Sequence, residues 1–148
     1  MRLLFMTFAL SAGLGLQPAA AQDSGTAAEA QAMLTAAAAA VAADENGALA
    51  SFTAGDAPFR AKDLYVFCAK GKFMSAHGAN AALVGQESID WVDKAGKPFI
   101  RAMWDSAKEG EFTVVDYMWP RPGAEEPVPK ASYVTRIGEQ MCGVGYYP

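Results

Sequence analysis

Histidine, cysteine and runs of like charge are what this sequence has least of. Its 148 residues hold one histidine and two cysteines. A single histidine, His77, without clustered ligands or a neighbouring nucleophile, makes a poor metal centre and a poor acid–base catalyst. Asp90, Asp93 and Asp116 are scattered, not spaced like a calcium loop. No phosphate-cradling glycine loop, Gly-x-Ser-x-Gly elbow or dinucleotide fingerprint occurs. No metal, cofactor or catalytic group is expected, so the chain does not read as an enzyme. Twelve basic residues face 16 acidic ones. Without a basic patch, nucleic acid is excluded as a partner.

Long apolar runs are scarce too, with one exception at the start. Arg2 precedes the uncharged stretch 3–16, Pro18 breaks it, and Ala19-Ala20-Ala21 follows. That order is the pattern of a secretory signal peptide over residues 1–21, with a cut expected between Ala21 and Gln22. The apolar run, about 14 residues, falls short of the roughly 20 that a spanning helix needs. Membrane contact is expected only if this segment stays attached as an anchor. Cleavage leaves 127 residues, with 11 basic against 16 acidic groups and a net charge of −5 in place of −4. That is enough chain for one domain with a proper core. The expected location is periplasmic or secreted. In an oxidising compartment Cys68 and Cys142 read most simply as one disulfide. Closing a loop of about 75 residues stabilises a fold by roughly 4 kcal/mol on chain-entropy grounds.

Residues 22–27 are small and polar and are expected to form a flexible mature N-terminus. Alanine, the best helix former, dominates from about 26 to 43, and Met33, Leu34, Ala37 and Val41 mark one face at helical spacing. Asn46-Gly47 is expected to stop that helix, and a second short helix to cover 48–52. The stretches 63–69 and 73–77 read as a hairpin around Lys70-Gly71-Lys72. A turn-rich stretch follows, with a short helical piece between Gly85 and Gly96. A helix over 98–108 presents Phe99, Ile100, Met103 and Trp104 on one face and an Arg101–Asp105 pair on the other. Strands are expected over 111–119, 130–137 and 140–147, with a proline-bearing loop at 121–129. Helix, two strands, helical crossover and three strands make an α+β fold with a five-stranded antiparallel sheet.

Seven segments carry a likeness in order: DLYVFCAKGK (63–72), AHGAN (76–80), LVGQ (83–86), DKAGKPFIRAM (93–103), VDYMWPRPG (115–123), SYVTRIG (132–138) and CGVGYY (142–147). Together they resemble the single Cache domain family (type 2), PAS-like extracytoplasmic sensor domains, over residues 28–148. The resemblance implies a long N-terminal helix on a five-stranded sheet of order 2-1-5-4-3, with a small-molecule pocket on the sheet's other side. That order makes the first and last strands neighbours, within reach of a Cys68–Cys142 bridge. Membrane-bound members continue into a transmembrane helix and a signalling module, whereas this sequence stops at Pro148. The expectation is a free-standing sensor domain without an output module. Its partners would be a small-molecule ligand and a membrane receptor or kinase.

Alternation along the strands nominates the pocket. Val115, Tyr117 and Trp119 share a face, and the two aromatics with polar edges suit either a ligand wall or plain core. Lys130 and Tyr133 form a wall by the resemblance, with Lys130 as counter-charge to a carboxylate or as an ordinary solvated lysine. Arg101 is a second candidate cation, set against a solvent-facing role. Gly143 and Gly145 share one face of the last strand, leaving room for a ligand or permitting close packing. His77 is expected in a hydrogen-bonding turn. The function expected is binding of a small polar or anionic metabolite. The alternative is a protein-interaction module whose pocket its own side chains fill.

Overall fold

Alanine and its caps set the first elements. In a computed structural model, which describes residues 24–148, α1 spans Ala27–Ala43. The expected signal peptide lies outside the described residues. Thr26 and Glu29 form a capping box: the Thr26 hydroxyl accepts from the Glu29 N–H at 3.2 Å, and the Glu29 carboxylate accepts from the Thr26 N–H at 2.8 Å. The Gly25 N–H donates to Asp63 at 2.6 Å. Ser24 to Thr26, read from the sequence as flexible, are therefore tied down.

The stop expected at Asn46-Gly47 comes earlier. Asp44 closes α1 through its N–H to the Ala40 carbonyl, and its side chain then caps α2, Glu45–Ala54, by accepting from the Gly47 N–H. Asn46 and Gly47 sit inside the first turn of α2. One short acidic side chain ends one helix and starts the next. Gly55, at φ +74°, ends α2 in the left-handed region.

The strands are β1 (Arg60–Ala61), β2 (Leu64–Lys70), β3 (Phe73–His77), β4 (Thr113–Pro120), β5 (Pro127–Ile137) and β6 (Gln140–Tyr146). All pair antiparallel, in the order β3-β2-β6-β5-β4, with β1 also laid on β2. The two-residue β1 is a sixth strand beyond the five expected. Strand β5 begins at Pro127, inside the stretch read as loop, because Pro120, Met118 and Trp119 of β4 find partners in Pro127, Pro129 and Val128. Helix α3 spans Phe99–Ser106. The only helical turn between β3 and α3 is a 3₁₀ turn at Ala81–Leu83, ahead of Gly85 rather than after it.

Strand alternation divides the core in two. Leu64, Val66, Cys68, Cys142 and Val144 face Ala30, Leu34, Ala37 and Val41 of α1. Tyr65, Phe67, Val115, Tyr117, Val134 and Met141 point the other way, onto Phe99, Ile100 and Met103 of α3. Cys68 and Cys142 are directly opposed across β2 and β6 and form a disulfide, fully buried under α1. Among the described residues no helix is long and apolar enough to cross a membrane.

Candidate functional site

The face turned away from α1 carries the polar and aromatic side chains that converge. Odd positions of β4 and even positions of β5 share it, so Tyr117 pairs with Lys130, and Val115 with Ser132. An inner chamber of about 10 Å³ lies against this face, walled by Tyr65, Phe67, Phe99, Ile100, Tyr117, Trp119 and His77, with Met74 and Trp91. That is space for no more than one water. An outer chamber of about 180 Å³ opens beyond it, between the turn at Ala79 and Asn80 and the strap 120–124. Tyr65, His77 and Trp119 line both.

Lys130 sits directly behind Tyr65 and is 1% exposed. Its ammonium donates to the Tyr65 hydroxyl at 2.8 Å and lies over the Tyr65 ring at 4.1 Å and the Tyr147 ring at 5.0 Å. The stem crosses Gly145, where any Cβ would collide with the Lys130 and Ser132 side chains. At Gly143 a Cβ would strike Phe67. Both glycines therefore serve close packing rather than ligand space. Further hydroxyls line the same region: Tyr117 shares a hydrogen bond with Ser132 at 3.0 Å, and Tyr147 donates to the Pro120 carbonyl at 2.7 Å.

Burial governs the charges here. Desolvation pulls Lys130 down to about 7, against a smaller upward pull from Asp63. Burial, then the Lys130 charge, holds His77 down at about 4, so its imidazole is neutral at physiological pH. The phenols of Tyr65, Tyr117 and Tyr147 are all raised, burial being the main cause, and stay protonated as potential donors. Among the described residues Lys130 makes no ion pair. Asp63, the carboxylate whose field reaches it, is already engaged by Arg121 and by the Gly25 N–H. Arg121 also reaches the Ser24 hydroxyl and lies over Tyr147 at 4.4 Å.

A helix-backed antiparallel sheet with an aromatic pocket between its other face and α3 has a counterpart among known sequences. The profile of the single Cache domain 2 family matches residues 17–145. The chain belongs to that family. As a Cache domain it is an extracytoplasmic, sensor-type domain, homologous to the ligand-binding domains of chemoreceptors. It is 38% identical over 64 residues to the methyl-accepting chemotaxis protein McpP of Pseudomonas putida; the match takes in 43% of this chain and spans 12% of that receptor's length. Its fold is similar to a methyl-accepting chemotaxis protein of Vibrio parahaemolyticus (TM-score 0.66, 20% identity, 81% of this chain and 86% of that one). A periplasmic sensor domain of a chemotaxis protein is similar as well (TM-score 0.57, 27% identity, 79% and 86% covered). So is a Cache chemosensory domain whose structure was described for carboxylic acid recognition (TM-score 0.58, 24% identity, 79% and 84% covered).

The Cache domain gathers only part of the residue set nominated from its sequence. Tyr117 and Trp119 are in the inner wall, and Lys130 stands behind it. Tyr133 is not there: three residues from Lys130 along one strand, it points to the α1 face and packs on Tyr146 with ring centres 5.9 Å apart. Arg101 is on the outer face of α3, half exposed, and pairs with Asp90 rather than the expected Asp105. His77 makes the expected turn bond, its Nδ1 accepting from the Asn80 N–H at 3.0 Å, and also walls both chambers. Tyr65, Tyr147 and the Asp63–Arg121 pair were missed. Tyr65 was findable, since it shares strand parity with Phe67. Tyr147 and the 58-residue separation between Asp63 and Arg121 left no local signal.

Proposed function

We infer that this Cache domain is a reversible binder of a small carboxylate-bearing metabolite, whose occupancy a membrane receptor or kinase reads. The observation that carries this is the buried, unpaired ammonium of Lys130. A cation removed from water without a counter-ion is costly, and a carboxylate in the chamber on the other side of Tyr65, hydrogen-bonded to the hydroxyl that Lys130 holds, would supply the missing charge. The tyrosine hydroxyls and His77 offer the remaining hydrogen bonds, and Phe67, Phe99 and Ile100 an apolar end for a short carbon skeleton.

The test is calorimetric titration with short organic acids, with amines and neutral amides of the same size as controls. Acids should bind and raise the melting temperature by linkage, and the Lys130→Met protein should lose that response while staying folded. Acids that bind no better than their amides would sink the reading. One observation favours the second reading, an interaction module with a self-filled pocket: the inner chamber is almost full as it stands. On that reading Trp119→Ala costs on the order of 3–5 kcal/mol of stability and no small molecule restores it.

A further inference from the structure

Because the inner chamber has room for no more than one water, any organic ligand requires one of its walls to move. Tyr65, Phe67 and Tyr117 are held by the sheet, and Phe99 and Ile100 by α3; all five are buried. Trp91 is half-buried but lines the inner chamber alone. Trp119 is half-buried, stands at the end of β4 beside Pro120 and, with the buried Tyr65 and His77, lines both the inner chamber and the open outer one. Its contacts are ring against ring, at 5.4 Å from Phe99 and 6.4 Å from Trp91 and from His77, and the indole N–H also faces the Tyr65 hydroxyl, a partner that an acid's head group would take over. Such packing yields by rotation, and the space next to it is the outer chamber.

We propose that Trp119 is the gate of the ligand site and the residue that sets ligand length. Turned inward it closes the inner chamber; turned into the outer chamber it admits the head group of an acid beside Tyr65. The ring then occupies the space that a longer tail would need. Short acids fit beneath the displaced indole, and longer ones compete with it for the outer chamber. This rests on the carboxylate reading of the same site.

The experiment measures affinities for straight-chain acids of two to eight carbons, with the matching alcohols, in the wild type, Trp119→Ala and Trp119→Phe. Circular dichroism confirms folding of each protein. The wild type should favour the shortest acids. Trp119→Ala should move the optimum at least two carbons upward and bind the six- to eight-carbon acids about tenfold tighter than the wild type does, and Trp119→Phe should keep the wild-type order. In wild type labelled with 5-fluorotryptophan, the Trp119 resonance, assigned by its loss in Trp119→Phe, should gain solvent-isotope sensitivity when a short acid binds. A folded Trp119→Ala with an unchanged length profile, or a Trp119 resonance that gains no solvent exposure on binding, overturns the gate. If no acid binds either protein, the carboxylate reading falls by itself. The alcohols, which need no cation, then decide the gate: it stands if Trp119→Ala takes longer alcohols than the wild type, and falls if it does not.

Discussion

Lys130 is where charge, burial and the proposed ligand meet. Its pKa is depressed to about 7 in the fold, against an ordinary value of roughly 10.4 in the unfolded chain. Between those two pH values the unfolded state holds more protons than the folded one, so stability must rise with pH across that window. Lys130→Met removes the buried charge. It should melt above the wild type at pH 6, with the gap narrowing toward pH 10, as thermal denaturation across pH would show. His77 also has a depressed pKa, about 4 in the fold. The unfolded chain again binds the extra proton, here between about 4 and 6.5, so this contribution is lost as pH falls through that range. Binding follows from the same lysine. A carboxylate prefers the ammonium, so above pH 7 each binding event takes up a proton, and affinity should fall about tenfold per pH unit. Titrations at pH 8 in buffers of different ionisation enthalpy should therefore give different apparent heats, and identical heats would contradict a role for Lys130. None of this was visible in the sequence, where a lysine after a proline loop defaults to solvent. The burial depends on Gly145, 15 residues away, whose bare Cα lets the lysine stem cross β6.

Local chemistry fixed most elements, and its failures have local causes. Alanine content and the spacing of Met33, Leu34, Ala37 and Val41 revealed α1 and its buried face. The boundary with α2 was misread because Asn46-Gly47 looks like a stop, whereas Asp44 serves as a cap in both directions. Asp44→Ala should consequently cost about 1 kcal/mol, seen as a lower urea midpoint with the m-value unchanged. A midpoint equal to the wild type would mean that packing alone holds the corner. Strand parity assigned Tyr117 and Trp119 to one face correctly. The same rule separates Lys130 from Tyr133, since an odd spacing along a strand cannot put both on one wall. The two-residue β1 and the proline-bearing start of β5 carry no pattern of their own. Each exists because a longer neighbour offers it a ladder.

At the scale of the molecule, the sheet's two faces divide the labour: one is closed by α1 and the disulfide, the other holds the pocket. Because Cys68 and Cys142 lie on the closed face, their loss should weaken the fold without reshaping the site. The Cys68→Ala, Cys142→Ala protein should be less stable by roughly 4 kcal/mol in urea denaturation. Where it remains folded, its ligand affinity should match the wild type. A changed affinity at unchanged fold content would show that the two faces are coupled.

The bridge also decides how the domain responds to being pulled. It turns the 74-residue span from Cys68 to Cys142 into a covalent ring that contains β3, α3, β4 and β5, while α1 and α2 hang outside it. Tension along the chain can peel the two helices from the sheet, but it passes across the ring through sulfur and leaves the strands inside unloaded. Stretched by its ends, the oxidised protein should fall short of the reduced one by roughly 250 Å, at about 3.4 Å per residue. The pocket strands β4 and β5 would sit in the segment that never feels the force.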